Sequence, residues 1–318
     1  MELLERITCT GLLPVIKVSN IKNALPIAKA LRDGGLNAAE ITFRTACAED
    51  AIRTIREAYP DMLIAAGTVL TPVQADAAMN AGADLIVSPG LNPTVVKHCL
   101  AKNYPVVPGC STPSDVETAL SMGLTYLKFF PAEAAGGTAM IKAMSGPYGN
   151  VKFMPTGGIN ADNLRAYLSS PKVFACGGSF MVNEKMIEAG DFDGIAKLTR
   201  DAIAKMLDFR LGHIGINGKS DEEAKQTADL ISMLFGFPIR EIPVSYFAGP
   251  FELMKNGTRG KNGHIAVSTP DVKRAMFFLE QRGMKFDPES VQRDPSGEPI
   301  FAYLEQEFLG FAIHLTKA

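Results

Sequence analysis

Residues 151–178 read VKFMPTGGINADNLRAYLSSPKVFACGG, and this stretch reveals the architecture of most of the chain. Two short apolar runs lie at 151–157 and 173–178, and an amphipathic segment separates them. Each run ends at a pair of glycines, Gly157 and Gly158 for the first and Gly177 and Gly178 for the second. An apolar run, a helical segment and a second apolar run are typical of two parallel strands joined by a crossover helix. The rest of the first 207 residues repeats this unit.

Six further apolar runs precede this stretch, which gives eight predicted strands. In chain order the runs are 12–18, 38–44, 63–68, 84–89, 104–109, 125–131, 151–157 and 173–178. Eight strands that alternate with helices, about 20–26 residues apart, indicate a closed (β/α)8 TIM barrel. The alternative is an open, doubly wound sheet. Such sheets usually have five or six strands, and no GxGxxG motif follows the first run here.

The pattern changes after residue 207. Residues 212–217 read GHIGIN and residues 263–268 read GHIAVS, and each segment is followed by a helical pattern that ends at a glycine. Each helix then leads into short alternating runs, which are YFAGPFELMK (246–255) and FAYLEQEFLGFAIHL (301–315). A strand, a helix and further strands, occurring twice, indicate two copies of one βαβββ unit.

The two copies are offset by 51 residues, the separation of His213 and His264. A single βαβββ unit could not bury its sheet face alone, so we expect the two copies to pair into one compact domain. The predicted fold class is therefore α/β. It comprises a (β/α)8 TIM barrel over residues 1–207, followed by a smaller α+β domain of two βαβββ repeats over residues 208–318.

Composition argues against several classes of protein. Of the 318 residues, 47% are apolar and 21% charged, and 32 basic against 34 acidic residues give a net charge of −2. Nucleic-acid binding is not expected, because binding to phosphates needs an excess of cations. No apolar run approaches the ~18 residues of a membrane span, so no membrane association is expected. Five cysteines without CxxC spacing, and an N-terminus without a signal-peptide pattern, favour a cytoplasmic protein.

The sixth predicted strand, TYLKFFP (125–131), carries a lysine between apolar and aromatic residues. Alternate residues of a barrel strand point into the lumen, so Lys128 would share its face with Tyr126 and Phe130. A strand lysine is often only a side chain that reaches solvent from the strand end. Between apolar flanks, however, burial favours the neutral amine over the ammonium ion. The neutral amine is the form that attacks a carbonyl carbon to give a Schiff base.

The second predicted strand, AAEITFR (38–44), places a carboxylate and a guanidinium on one face, because Glu40, Thr42 and Arg44 alternate with apolar residues. Glu40 and Arg44 could form a structural ion pair. Opposite a lumenal lysine they have a chemical interpretation, in which Arg44 holds a substrate carboxylate and Glu40 moves protons. Thr68, at the end of the third strand, would add a hydroxyl at the same rim.

The last two predicted strands are followed by TGGI (156–159) and GGS (177–179). Glycines let backbone N–H groups approach an anion closely, and the loops after the last two strands are the usual phosphate site of such barrels. A tight turn would explain either glycine pair alone. Because both pairs occur, and at these two strands, the sequence favours a phosphate site.

These segments resemble those of the 2-keto-3-deoxy-6-phosphogluconate (KDPG) and 4-hydroxy-2-oxoglutarate (KHG) aldolases. The resemblance covers residues 1 to about 207, and the motifs that carry it are EITFRT (40–45), AAGTVL (65–70), SPG (88–90), PGCST (108–112), KFFPAE (128–133), PTGGI (155–159) and GGSF (177–180). The cysteine of PGCST departs from the family pattern, outside the core motifs. The family implies a class I lyase of the Entner–Doudoroff pathway that needs no cofactor or metal and is commonly a homotrimer.

The resemblance also implies a role for each site residue. Lys128 would be the Schiff-base lysine, and Glu40 the general acid and base, acting through a water. The residues that bind substrate would be Arg44 and Thr68 at the pyruvate carboxylate, Pro89 and Phe130 beside the imine, and Thr156, Gly157, Gly158, Gly178 and Ser179 at the phosphate.

The reaction implied by the resemblance is cleavage of a phosphorylated keto acid, 2-dehydro-3-deoxy-6-phosphogluconate, to pyruvate and glyceraldehyde 3-phosphate. Alternative substrates are the 6-phosphogalactonate epimer and 4-hydroxy-2-oxoglutarate. A function of a different class is a sensor or scaffold, in which the second domain binds a ligand and the barrel has lost its activity. The presence of Glu40, Arg44 and Lys128 together weighs against that alternative.

The last third of the chain holds three of its four histidines. His213 and His264 begin the first strand of each repeat, whereas Glu252 and His314 lie in the last strand of each repeat. Two-fold pairing of the repeats would bring these four side chains together at the centre of the domain. Three imidazole nitrogens and one carboxylate oxygen would suit a divalent metal such as Zn, Fe, Mn, Ni or Co.

The second domain resembles the vicinal oxygen chelate superfamily, which includes glyoxalases and extradiol dioxygenases. The resemblance covers about residues 211–316, and the segments that carry it are GHIGIN, FELMK, GHIAVSTPDV and AIHLTK. The metal sites of that superfamily use His and Glu from these strands, and His314 stands where a Glu is common. The domain is therefore predicted to be a metal-binding module, with either a second catalytic activity or a non-catalytic role in binding or assembly.

Overall fold

The computed structural model describes residues 1–318 and divides into two compact units, Met1–Met206 and Leu207–Ala318. None of its helices combines the length and the apolar character needed to cross a membrane. None of the five cysteines forms a disulfide.

Short parallel strands form the core of the first unit. Their bounds are β1 Leu12–Ile16, β2 Ala38–Thr42, β3 Leu63–Gly67, β4 Leu85–Val87, β5 Val106–Val107, β6 Gly109–Cys110, β7 Tyr126–Phe129, β8 Lys152–Pro155 and β9 Cys176–Gly178. The helices are α1 Leu3–Thr10, α2 Ala24–Asp33, α3 Ala48–Ala58, α4 Pro72–Ala81, α5 Pro93–Ala101, α6 Pro113–Ser121, α7 Gly137–Ser145, α8 Leu164–Leu168, α9 Glu184–Ala189 and α10 Phe192–Leu207, with a 3₁₀ turn at Ile21–Asn23.

The strands close into a barrel of eight strands, in which β5 and β6 together make the fifth. One sheet has the order β5–β4–β3–β2–β1–β9, and the other has the order β6–β7–β8. Pro108 interrupts this fifth barrel strand, so that β5 pairs with β4 whereas β6 pairs with β7. The bridges Phe153–Val173 and Thr156–Gly177 link the last barrel strand, which ends in β9, to the strand that contains β8. The predicted (β/α)8 barrel is confirmed, and the open doubly wound sheet is wrong.

Local sequence explains where several of the barrel helices begin. Helices α4, α5 and α6 each start with a proline at the first helical position, preceded by Thr71, Asn92 and Thr112 respectively. Each of these three side chains accepts a hydrogen bond from a backbone N–H of the first turn, which satisfies a donor that the helix itself leaves unpaired. Proline suits the next position because it has no N–H to satisfy there.

One eight-stranded sheet and two helices make up the second unit. Its strands are β10 Arg210–Asn217, β11 Ile239–Ile242, β12 Ser245–Ala248, β13 Phe251–Met254, β14 Gly263–Thr269, β15 Gln292–Arg293, β16 Pro299–Phe308 and β17 Phe311–Lys317. The helices are α11 Asp221–Phe235 and α12 Val272–Glu280, with a 3₁₀ turn at Pro288–Ser290. The strand order is β11–β12–β13–β10–β14–β17–β16–β15.

The two halves of this sheet are related by an approximate two-fold axis. Strands β10 and β14 run antiparallel at the centre, and each pairs in parallel with the last strand of its own repeat, β13 or β17. Ile214 lies opposite Ile265, and the same two residues are related by the 51-residue offset, so the axis passes between them. The predicted pair of βαβββ repeats is confirmed.

Candidate active site and candidate metal centre

A buried amine and a buried carboxylate face each other in the barrel. Lys128 on β7 is 5% exposed and Glu40 on β2 is 0% exposed. The Nζ atom of Lys128 lies 3.2 Å from Oε1 of Glu40. Burying two charges costs desolvation free energy that their attraction only partly offsets, so the pair is a poor source of stability. Such a pair in a barrel lumen indicates a reactive site.

Two buried oxygen atoms of the barrel, Oε2 of Glu40 and Oγ1 of Thr156, have no hydrogen-bond partner. Met154 lies opposite Lys128 in the β7–β8 register, and Thr156 is two residues further on, so its side chain points to the same face as that of Lys128. A buried polar atom without a partner costs about 1–3 kcal/mol, and such atoms are rare. Their presence here indicates a place for a polar ligand.

Gly67 makes room for the carboxylate of Glu40. It ends β3, next to β2, and a Cβ atom at this position would lie 2.2 Å from Oε1 of Glu40. Any larger residue would therefore push the carboxylate away from Lys128. The sequence alone does not predict a role for Gly67. The only signal available to it was a glycine at the end of an apolar run, which many turns share.

Arg44 and Thr68 form a contact of their own at the ends of β2 and β3. The Nε atom of Arg44, which is exposed, donates to Oγ1 of Thr68 at 3.3 Å. Thr68 has a φ of +56°, a left-handed conformation that costs a β-branched residue about 1–3 kcal/mol. Strain of this kind is often kept at functional sites. Arg44 does not pair with Glu40, whose partner is Lys128, so the structural ion pair considered from the sequence is not formed.

Phe130 and Pro89 lie close to the strand that carries the lysine. The Phe130 ring centroid is 5.7 Å from Nζ of Lys128, so the ring shields the amine from water on one side. Gly109 lies opposite Lys128 in the β6–β7 register. A Cβ atom on Gly109 would lie 2.0 Å from the carbonyl oxygen of Pro89, so only glycine allows the segment after β4 to approach so closely.

The two glycine pairs lie side by side at the same end of the barrel. Gly157 and Gly158, after β8, have φ values of +98° and +81°, which favour glycine. Gly178 ends β9, and Ser179 follows it with an exposed side chain. The bridge between Thr156 and the neighbouring Gly177 joins the two segments. Backbone N–H groups and a hydroxyl at this edge are suited to an anion.

Glu133 supports the turn that contains Gly158. A Cβ atom on Gly158 would lie 2.5 Å from Cγ of Glu133, so the turn rests directly on this side chain. Tyr167 donates a hydrogen bond to Oε1 of Glu133, and burial together with this bond raises the pKa of Tyr167. Glu133 belongs to the KFFPAE motif, but the sequence alone does not predict its function. Its contact with residues 25 and 34 positions away depends on the closed barrel.

Four side chains of the second unit converge on one point of its sheet. Nε2 of His213, Nε2 of His264 and Oε2 of Glu252 form a triangle whose three sides are each 3.0 Å. The ligand nitrogen of His314 lies within 4.8 Å of those of the other two histidines. The structure thus brings together all four residues that the sequence singled out as metal ligands.

Strand register explains this convergence. Glu252 lies opposite Gly215, and His314 lies opposite Ala266. Gly215 and Ala266 are 51 residues apart, so the approximate two-fold axis relates Glu252 to His314 just as it relates the other two ligands to each other. Gly215 also has a steric role, because a Cβ atom there would lie 2.1 Å from the ring of His264.

The geometry of the three atoms fits a divalent metal ion. Three donor atoms that lie 3.0 Å from one another are close enough to bind a single divalent ion together. His213, His264, Glu252 and His314 would hold the ion, and a six-coordinate metal would keep two positions for other ligands.

The protonation states of these residues also suit a metal. Burial tends to raise the pKa of Glu252, but hydrogen bonds from His213, His264 and Ser245 outweigh it and hold that pKa below its usual range. Burial, with the two neighbouring histidines, lowers the pKa of His314 to about 4. At neutral pH, Glu252 is therefore charged and His314 is neutral, which are the forms that bind metals.

Comparison with known proteins concerns the first unit. A family model described as KDPG and KHG aldolase matches residues 3–198. The 2-dehydro-3-deoxy-phosphogluconate aldolase of Haemophilus influenzae is 48% identical over 202 residues, which cover 64% of this chain and 95% of the relative. All the motifs quoted for the barrel lie inside the range that the family model matches.

Two solved structures are similar over the same share of the chain. A KDPG aldolase from Legionella pneumophila, with pyruvate captured at low pH as a covalent carbinolamine intermediate, is 38% identical with a TM-score of 0.61, covering 63% of this chain and 98% of that one. The 2-keto-3-deoxy-6-phosphogluconate aldolase of Zymomonas mobilis ZM4, with 3-phosphoglycerate, is 38% identical with a TM-score of 0.59, covering 64% of this chain and 95% of that one.

Proposed function

The chain belongs to the KDPG and KHG aldolase family, and from this we propose that its barrel is a class I aldolase that cleaves 2-dehydro-3-deoxy-6-phosphogluconate to pyruvate and glyceraldehyde 3-phosphate. The enzyme is thus a lyase. The observation that carries the proposal is the buried pair of Lys128 and Glu40, with Nζ and Oε1 3.2 Å apart. An amine beside a carboxylate that can exchange protons is what Schiff-base chemistry requires.

In the proposed reaction, Nζ of Lys128 attacks the C2 carbonyl carbon of the keto acid, and loss of water gives a protonated imine. Removal of the proton on the C4 hydroxyl then breaks the C3–C4 bond. The imine accepts the electron pair, and the aldehyde leaves. A proton added at C3 of the resulting enamine restores the imine, and its hydrolysis frees pyruvate and the lysine.

Glu40 moves protons in this scheme. Its Oε1 lies beside the amine of Lys128, while its Oε2 is buried and has no partner. The second oxygen is therefore available to a substrate hydroxyl or to a water that carries the proton. A positioned acid or base of this kind typically contributes about 10²–10⁴ in rate.

We expect Glu40→Gln to separate proton transfer from imine formation. The variant keeps the size of the side chain and its contact with Lys128, so pyruvate plus borohydride should still add a covalent mass at that lysine. Exchange of the pyruvate methyl protons with solvent, followed by NMR, should slow about 10²–10⁴-fold. Exchange at the wild-type rate would assign the proton transfer to another group.

In this proposal, different residues at the rim of the barrel bind the two ends of the substrate. Arg44, held by Thr68, binds the carboxylate at the pyruvate end. The turn of Gly157 and Gly158, together with Ser179, binds the phosphate. Support for this assignment is the phosphorylated substrate in the names of the relatives. Those names also favour the phosphogluconate over the 6-phosphogalactonate epimer, and the family description adds 4-hydroxy-2-oxoglutarate as a second substrate.

We expect Ser179→Ala to lower kcat/KM selectively for the phosphorylated substrate. The exposed hydroxyl can be removed without creating a buried cavity, unlike a change at Gly158, whose Cβ would clash with Glu133. Loss of one hydrogen bond to a charged group costs about 1.5–3 kcal/mol, so kcat/KM for the phosphogluconate should fall roughly 10–100-fold. The value for 4-hydroxy-2-oxoglutarate, which has no phosphate, should change less than twofold. An equal loss for both substrates would contradict a phosphate role.

For the second unit, we propose a module that binds one divalent metal through His213, Glu252, His264 and His314. The support is the triangle of donor atoms with 3.0 Å sides. Zn, Fe, Mn, Ni and Co all accept such ligands. A bound ion would supply Lewis acidity toward oxygen ligands.

Neighbouring residues position the ligands of this centre. Ser245 donates to Oε1 of Glu252 at 2.6 Å, which leaves Oε2 to face the histidines. Gly215 makes room for the ring of His264. The module has either a second catalytic activity or a role in binding or assembly, and it is not needed for the aldolase reaction, because the protonated imine already accepts the electron pair.

We also propose that the protein is a cytoplasmic homotrimer. The trimer is the common assembly of the family that the chain resembles. None of the five cysteines forms a disulfide, and four of them are buried, which suits a reducing compartment.

A further inference from the structure

A row of side chains crosses the sheet of the second unit from the metal-binding triangle toward the sheet edge. In the strand register, Arg240 on β11 lies opposite Phe247 on β12, and Phe247 lies opposite Glu252 on β13. Directly opposed residues share one face of a sheet, about 5 Å apart from strand to strand. Cζ of Arg240 is 4.5 Å from the Phe247 ring centroid, and that ring centroid is 5.5 Å from the centroid of His213.

Arg240 carries a charge that no acidic side chain neutralises. A comparable arginine lies on the other side of the site, where Cζ of Arg259 is 4.9 Å from the ring of Tyr303. Tyr303 lies opposite His314, as Phe247 lies opposite Glu252. Arg259, however, is paired with Asp287, with NH1 and Oδ2 2.5 Å apart. The two sides therefore differ, and only Arg240 offers its positive charge to a ligand.

The metal-binding triangle is most exposed to solvent on the side where Arg240 lies. The side chain of His213 is 22% exposed, whereas those of Glu252 and His264 are 9% and 4% exposed. His213 contacts Phe247, over which Arg240 lies. A small molecule that reaches the centre from solvent would thus pass along the ring of Phe247.

Charge at the centre indicates what this molecule would be. A divalent ion together with the carboxylate of Glu252 leaves one positive charge, because the other ligands are imidazoles. Arg240 adds a second positive charge. Its Cζ lies 4.5 Å from the Phe247 ring centroid, which is 5.5 Å from that of His213, so the charge lies at most about 10 Å from the His213 ring. A ligand with an anionic, chelating end and a second anionic group at a short distance would neutralise both.

Resting on the metal module proposed above, we propose that the second unit binds a 2-oxo or 2-hydroxy dicarboxylate. One carboxylate and the adjacent oxygen occupy open positions of the metal, and the far carboxylate pairs with Arg240. A five-carbon chain spans about 5 Å when extended, and a carboxylate–guanidinium pair adds about 4 Å, so the ligand fits within the distance that separates His213 from the guanidinium. Phe247 lies under the methylene groups of the chain.

A titration of the full chain loaded with Co²⁺ tests this inference. Visible absorption of Co²⁺ reports its ligands, so pyruvate bound at Lys128 in the barrel does not contribute to the signal. The two probes are 2-oxoglutarate and pyruvate, which share the chelating end but differ in the far carboxylate. We expect 2-oxoglutarate to bind at least tenfold more tightly than pyruvate. Arg240→Gln should remove this preference and leave pyruvate binding within twofold, whereas the matched control Arg259→Gln should keep the preference.

The outcomes separate this inference from the proposal on which it rests. If Co²⁺ binds and the two probes have equal affinities, or if Arg240→Gln keeps the preference, the dicarboxylate site is wrong and the metal module stands. Loss of the preference in Arg259→Gln as well would assign it to the general charge of the domain and would also overturn the role of Arg240. If the chain takes up no Co²⁺, both proposals fail.

Discussion

Lys128→Ala is expected to lower kcat/KM for cleavage at least 10⁴-fold, which corresponds to about 5.5 kcal/mol of transition-state stabilisation. Lys128 is the only buried lysine of the chain, so no other amine in the lumen can form the imine. The measurement is incubation with pyruvate and borohydride, followed by mass spectrometry and peptide mapping. Wild-type protein should carry the added mass on Lys128, and the variant should carry none.

A neighbouring lysine provides the control for this experiment. Lys152 on β8 lies with its Nζ 5.8 Å from the ring centroid of Tyr126, and it takes no part in the proposed chemistry. Lys152→Ala should therefore keep both cleavage and the label on Lys128. A label on a different lysine in the wild-type protein, or substantial cleavage by Lys128→Ala, would contradict the Schiff-base mechanism.

Stability needs a separate check, because Lys128→Ala leaves the carboxylate of Glu40 buried without its partner. Removing one member of a buried ion pair typically costs about 3–5 kcal/mol. The single variant should thus unfold at a lower temperature than wild type. The double variant Lys128→Ala/Glu40→Gln removes the stranded charge, so we expect it to recover part of that stability while remaining inactive. This combination distinguishes lost chemistry from lost folding.

His264→Ala is expected to remove the metal from the second unit. The wild-type protein should contain about one divalent ion per chain by elemental analysis. His264 contributes one corner of the 3.0 Å triangle, so its loss leaves an incomplete ligand set, and metal affinity should fall at least about 100-fold. His213→Ala should have the same effect. A chelator should remove the metal from wild-type protein and leave aldolase activity within twofold.

The remaining histidine of the chain is the control for metal content. His98 lies on α5 of the barrel, with Nε2 2.7 Å from Oδ1 of Asp76. His98→Ala should keep the full metal content. Wild-type protein that contains no metal, and whose histidine variants behave like it, would leave the second unit with a different role. Aldolase activity that disappears with the metal would contradict the separation of the two sites.

Much of the fold was predictable because its signals are local. The eight barrel strands are short apolar runs between amphipathic segments, and all eight occur where the pattern predicted them. Strands β11 and β15 of the second unit were not identified. Three of the four residues of β11 are exposed, both residues of β15 are exposed, and a short exposed edge strand has no apolar alternation to reveal it.

The candidate site was predictable in its members but not in its contacts. Lys128 and Glu40 stand out because each interrupts an apolar strand, and His213 and His264 stand out because they repeat at one offset. Their partners depend on which strands become neighbours. Glu40 contacts a lysine 88 residues away instead of the arginine four residues away, because closure of the barrel turns β2 and β7 toward the same lumen.

Arg240 and Arg259 of the second unit differ only in the contacts that the folded chain gives them. Nothing in the sequence shows which of Arg240 and Arg259 pairs with an acidic side chain. Register places Arg240 in the row of Glu252, and the folded chain brings Asp287 to Arg259 but no acid to Arg240. Periodicity along the chain thus encodes which elements form and which residues they bury. Contacts across strands depend on register and closure, which local patterns do not specify.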